Sequence, residues 1–155
     1  MKFERKVLPD QHYLFAACAC EMQGAAIASA MEKGFGQVFG YVSEAGITPL
    51  SAPIAVYHTM PAEGRITFEC GVIVPAAAAA HVPAPVQAGK IAAGEAIMTV
   101  HTGAYATLNT THAALGAHLL EANLSAGSPV WEVYIDDPGN TPEPDLRTEI
   151  YRALA

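Results

Sequence analysis

Glu132 and Tyr134 stand two residues apart in the stretch Ser128-Pro129-Val130-Trp131-Glu132-Val133-Tyr134-Ile135-Asp136-Asp137-Pro138. Val130, Glu132 and Tyr134 alternate with Trp131, Val133 and Ile135, the period-two pattern of a strand with unlike faces. One face therefore carries a carboxylate beside a phenol. A glutamate within a Val/Trp/Tyr/Ile run is costly to bury unless water, a hydrogen-bond donor or a cationic guest pairs with it. Such a pair could anchor a positive ligand. It could also position or deprotonate water while the tyrosine hydroxyl donates to a developing anion. The plainer alternative is a glutamate on the solvent face of an edge strand. If Glu132 faces a cleft, Trp131 is expected to face the helices or a partner.

Other residues invite the same comparison. Glu149 follows Arg147 at two residues, so it is either a second cleft carboxylate or half of a surface ion pair. Tyr57 and Tyr134 offer flat apolar area and cation-attracting faces, and both could equally belong to the core. Cys18 and Cys20 share a strand face and could form a metal site with Cys70 or a histidine; free thiols are the expected state. His112 and His118 lie six apart on a helix, the wrong spacing for a joint metal-ligand pair. His101, just before Gly103, also looks chemical. No Ser/His/Asp or Cys/His order stands out, and neither metal nor cofactor is expected.

The elements that must hold these residues can be read from periodicity. His12 to Glu21 is an apolar run of strand length with an aromatic start. Between Ala25 and Ala45, Ile27, Met31, Phe35, Val38, Phe39 and Val42 recur at helical spacing, with Gly46 at the stop. Pro53 to His58 and Arg65 to Val74 read as strands joined by a turn containing Pro61 and Gly64. An Ala/Pro-rich segment, about 75–87, reads as a linker. The order then returns: a strand from Glu95 to His101, a helix from Ala104 to Asn123, and strands at Val130–Ile135 and Thr148–Leu154. Pro53 precedes Val56-Tyr57 as Pro129 precedes Val133-Tyr134, and Phe68-Glu69-Cys70 falls where Thr148-Glu149-Ile150 falls. Two pseudo-repeats, about 10–75 and 88–155, within one domain spanning 1–155 would bury their apolar faces by joining into one curved sheet.

Composition narrows the function classes. The 155 residues are 52% hydrophobic and carry a net charge of −7, with no Lys/Arg run to attract nucleic acid or an anionic membrane. A cationic or neutral ligand suits that balance better. Three cysteines and an N-terminus without an apolar signal segment point to a reducing, cytoplasmic compartment. No apolar run approaches the roughly 20 residues of a membrane-spanning helix.

Val100-His101-Thr102-Gly103-Ala104-Tyr105-Ala106-Thr107-Leu108, Trp131-Glu132-Val133-Tyr134 with Asp136-Asp137-Pro138, and Leu146-Arg147-Thr148-Glu149-Ile150-Tyr151 resemble the GyrI-like, or bacterial transcription-activator effector-binding, family. Phe68-Glu69-Cys70-Gly71-Val72-Ile73-Val74 is similar to that family's first-half glutamate strand. The resemblance implies an α+β fold: tandem duplicated strand-helix-strand-strand units forming a curved antiparallel sheet, with two helices flanking a central ligand cleft. It also implies recognition of amphipathic, often cationic or aromatic, small molecules. Glu132 then matches the central glutamate, Glu149 that of the final strand, and Tyr134 the neighbouring tyrosine. Tyr57 and Glu69 are the first-half candidates by repeat position.

Only a short leader precedes the first predicted strand, leaving no room for a helix-turn-helix, so a standalone member without direct nucleic-acid contact is expected. It would sense or sequester a ligand. Alternatively, some standalone relatives hydrolyse reactive small molecules such as cyclopropane-bearing natural products, and here Glu132, Glu149 and Tyr134 would be catalytic. A less favoured third reading is docking onto a protein, as a gyrase modulator does. A homodimer or a separate regulatory partner fits any of these.

Overall fold

The computed structural model describes residues 1–155. The chain forms eight strands, β1 (Glu4–Leu8), β2 (Gln11–Glu21), β3 (Ile54–Tyr57), β4 (Arg65–Ile73), β5 (Gln87–Ile91), β6 (Gly94–Thr102), β7 (Ala126–Tyr134) and β8 (Arg147–Leu154). Where apolar side chains recur every three to four residues, it forms α1 (Gly24–Glu44) and α2 (Leu108–Glu121). The second helix was expected from Ala104; a 3-10 turn at Tyr105–Thr107 occupies its first residues instead. No helix is long and apolar enough to cross a membrane.

All eight strands join one antiparallel sheet in the order β1-β6-β8-β7-β3-β4-β2-β5. The duplication appears in its register. Ala55 of β3 faces Glu132 of β7 across the centre. Moving one residue along each strand, Val56 pairs with Glu69 of β4 and Val133 pairs with Glu149 of β8. Glu69 and Glu149 are therefore equivalent by the pseudo-twofold, as are Tyr57 and Tyr134.

Two strands were not anticipated: β1 lies in the segment read as a leader, and β5 overlaps the end of the segment read as a linker. Both are sheet edges with little apolar content, so neither carries a strong alternation signal. Each pairs with the opposite half, β1 on β6 and β5 on β2. Only Pro9-Asp10 separates β1 from β2, and only Ala92-Ala93 separates β5 from β6. These short links draw the two edges together and curl the sheet into a half-barrel. Asp10 ties the links by accepting from the Ala93 amide at 2.7 Å. The Ala/Pro segment is also packed, with Val86 buried and Ala78, Ala79 and Val82 against the Leu14–Val38–Val72 cluster.

Both helices cover the same face. Val38 and Val42 of α1 pack over β2 and β4, while Leu115 and Leu119 of α2 pack over Ile97 and Ile150. Gly34 lets α1 lie close to the sheet: a Cβ there would stand 2.9 Å from Cys18 Sγ and 3.1 Å from Cys70 Cβ. A helix-interior glycine costs about 0.5–1 kcal/mol relative to alanine, and the packing against β2 and β4 offsets it. The inner face of the half-barrel holds a second core of Tyr13, Phe15, Ile54, Val56, Ile91, Ala96, Trp131 and Val133.

Candidate functional site

With α1 over β2 and β4 and α2 over β6 and β8, the central strands β3 and β7 meet the space between the helices. Glu132 and Tyr134 of β7 and Tyr57 of β3 share this helix-side face. Glu132 is only 4% exposed. Its Oε1 accepts from the Tyr134 hydroxyl at 2.6 Å and, more weakly, from Tyr57 at 3.4 Å. Its Oε2 lies 2.6 Å from His112 Nε2, so the ring N–H of α2 donates to the carboxylate. No lysine or arginine pairs with it.

Aromatic rings complete the enclosure. Phe35 of α1 meets Tyr134 edge-on at 6.2 Å between centroids, Tyr105 lies 5.5 Å from Tyr134, and Phe68 lies 5.8 Å from Tyr57. Burial, reinforced by the Glu132 charge, raises the Tyr57 and Tyr134 hydroxyls well above the ordinary tyrosine range. They stay protonated at neutral pH and act as donors. Burial and then the Asp136, Asp137 and Glu132 charges raise Tyr105 as well. The result is an anion held by neutral phenols and one imidazole inside an aromatic cage.

The other expected cleft residues do not join this group. Strand parity places Glu149 and Glu69 on the inner face, because they pair with Val133 and Val56, whose side chains point away from Glu132. Glu149 accepts from the Tyr151 hydroxyl at 3.1 Å. Glu69 accepts from Tyr13 and lies 2.9 Å from His58 Nε2. Five residues expected in one cleft thus divide into three on the helix side and two on the inner side. Trp131 also faces inward, away from the helices, where its ring stacks on Tyr151 at 4.9 Å and 1°. The Arg147–Glu149 ion pair does not form; Arg147 makes a two-pronged bond to Asp136 and holds that carboxyl below the usual range.

His112, the cage's third donor, shows in the sequence only its interval of six from His118, the wrong spacing for a joint metal site. His118 stacks on Phe3 instead, and His101 is buried beside Thr111 and the Ala104 carbonyl. Nothing local marks His112, since its partner is twenty residues away on another element.

Cys18 Sγ lies 3.7 Å from Cys70 Sγ, and no third His, Cys, Asp or Glu joins them as a metal-ion site. The hydrogen-bonding Cys70 thiol brings Cys18 down to about 7 against the opposing effect of burial, and Cys70 itself is raised. Iodoacetamide is therefore expected to modify Cys18 before Cys70, with a rate midpoint near pH 7, because the thiolate is the nucleophile. Peptide mass mapping across a pH series checks this. A midpoint unmoved by Cys70→Ala would remove Cys70 as the cause.

A family model described as the GyrI-like small molecule binding domain matches residues 1–155. No curated protein matches by sequence. Among solved structures, the chain is similar to EcmrR in a cryo-EM structure of an EcmrR–DNA complex, at TM-score 0.81 and 16% identity, covering 99% of this chain and 57% of EcmrR. It is similar to a hydrolase from Listeria innocua at TM-score 0.67 and 15% identity, covering 99% and 92%. It is also similar to SAV2435 bound to tetraphenylphosphonium, at TM-score 0.66 and 13% identity, covering 100% and 94%. The chain thus spans little more than half of EcmrR, and at these identities the likenesses show the fold alone.

Proposed function

Because the chain belongs to the GyrI-like small molecule binding domain family over residues 1–155, we propose that the cage around Glu132 is its small-molecule site and that the ligand is an amphipathic organic cation. The observation carrying this reading is the Glu132 carboxylate, buried among aromatic rings with no fixed lysine or arginine beside it. A charge in that position favours a cationic partner, and faces such as Tyr57, Tyr105 and Tyr134 attract cations further. His112 occupies the carboxylate in the resting protein, and its side chain remains one-third exposed. Ligand entry displaces it toward solvent.

Tetraphenylphosphonium serves as the probe, with triphenylphosphine oxide as a neutral control, in calorimetric titrations. Glu132→Gln is expected to weaken the cation about tenfold to a hundredfold while changing the neutral compound little. His112→Ala is expected to tighten the cation about tenfold, since one competing charge-assisted bond is gone. Equal losses for both probes in Glu132→Gln would end the electrostatic reading.

A hydrolytic reading has one observation in its favour, the 2.6 Å Glu132–His112 contact, which could serve as a proton-accepting pair. It cannot use Glu132 and Glu149 on one substrate, because they lie on opposite faces. Mass analysis of electrophilic ligands after incubation separates the readings: recovery of each unchanged supports binding, and gain of one water supports hydrolysis.

A further inference from the structure

The inner face of the half-barrel contains a cavity of about 630 Å³. We propose that it is a second small-molecule site, separate from the Glu132 cage, for a planar aromatic amidinium or similarly flat, N–H-rich cation. Its volume lies within the roughly 300–1,000 Å³ of small-ligand sites. Trp131, Val133, Tyr151 and Ile73 supply apolar lining, and the parallel Trp131–Tyr151 stack gives it a flat wall.

The polar groups specify the guest. Glu149 lines the cavity, and its carboxylate has one side-chain donor, the Tyr151 hydroxyl. Its pseudo-twofold mate Glu69 has two, Tyr13 and His58. The position that His58 fills beside Glu69 therefore has no counterpart beside Glu149. Gln11, also in the lining, has a side-chain carbonyl oxygen with no hydrogen-bond partner, closed off from the cavity in this rotamer and turned into it by a rotation of the amide. The other carboxylate of the lining is Asp10, and its neighbour Lys90 is 3.5 Å away outside the lining. An under-used carboxylate and an orphaned carbonyl are both acceptors, so the guest brings donors. A flat amidinium offers several in one plane and delivers a charge-assisted bond to Glu149 while its ring lies against the aromatic wall.

The site is separate because parity points Trp131, Val133 and Glu149 away from the face that carries Glu132 and Tyr134. The sheet itself lies between them. A ligand here can bind whether or not the cage between the helices is filled.

Trp131 is the chain's single tryptophan, so its emission reports this cavity. Benzamidine is titrated while that emission is followed, with benzamide as the neutral control. Expected are a saturable change with benzamidine, a much weaker effect of benzamide, and affinity about tenfold lower in Glu149→Gln. Gln11→Met, which removes the side-chain amide and with it the orphaned acceptor, is expected to weaken benzamidine without lowering the melting temperature. Glu132→Gln and saturating tetraphenylphosphonium are expected to leave the titration within about twofold, so failure of the cage reading and failure of this one are distinguishable. No saturable change, or undiminished affinity in both Glu149→Gln and Gln11→Met, would overturn the proposal. Loss of benzamidine binding in Glu132→Gln would overturn it as well, by placing the probe between the helices.

Discussion

Alanine at Gly71 is expected to destabilise the protein by about 3 kcal/mol or more, a fall in melting temperature of about 6 °C or more. Gly71 sits in β4 opposite Phe15 of β2 and Ile54 of β3. A Cβ built there would stand 2.0 Å from the Leu14 carbonyl oxygen and 3.1 Å from Phe15 Cα. These are backbone atoms of the adjoining strand, so no side-chain rotation relieves the clash. The strands must separate, which breaks ladder bonds beside the central pair that carries Glu132. A melting temperature within about 2 °C of wild type would mean that the backbone accommodates the methyl group easily.

Trp131→Ala is expected to cost about 3–5 kcal/mol, the range for deleting a large buried aromatic. Trp131 is 2% exposed, and its removal takes away the Tyr151 stack and contacts of the inner core. Trp131→Phe keeps a ring in place and is expected to lose less than half as much. Urea unfolding followed by circular dichroism compares the two variants with wild type. Equal losses in both would point to the indole's shape rather than to the missing ring. Because Trp131 adjoins Glu132 in sequence but points to the other face, the phenylalanine variant should also leave the tetraphenylphosphonium titration nearly unchanged.

Much of the fold was legible in the sequence because its signals are local. The His12–Glu21 run became β2, the 25–45 periodicity became α1, and the paired Tyr57/Tyr134 and Glu69/Glu149 positions are matched in the sheet register. β1 and β5 were missed because Glu-Arg-Lys-Val-Leu and Gln-Ala-Gly-Lys-Ile lack the buried face that gives an inner strand its alternation. In the candidate site, the Glu132–Tyr134 pair could be read from spacing within one strand. Whether Glu149 shared its face depended on how β7 and β8 align, and a shift of one residue reverses that outcome. His112 depended on where a helix turns relative to a strand, which no interval along the chain encodes.

The exchange of edge strands between the halves bears on how the protein reaches its native state. Residues 4–8 find their partners at 94–98, and residues 87–91 find theirs at 11–15, so neither repeat can finish its own edge from its own chain segment. Such distant pairings carry a large loop-closure entropy and form slowly, after nearer contacts have set the frame. The duplicated halves therefore depend on one another to complete the sheet. A chain still emerging from the ribosome has β2 without the β5 that covers its flank until residue 91 is available.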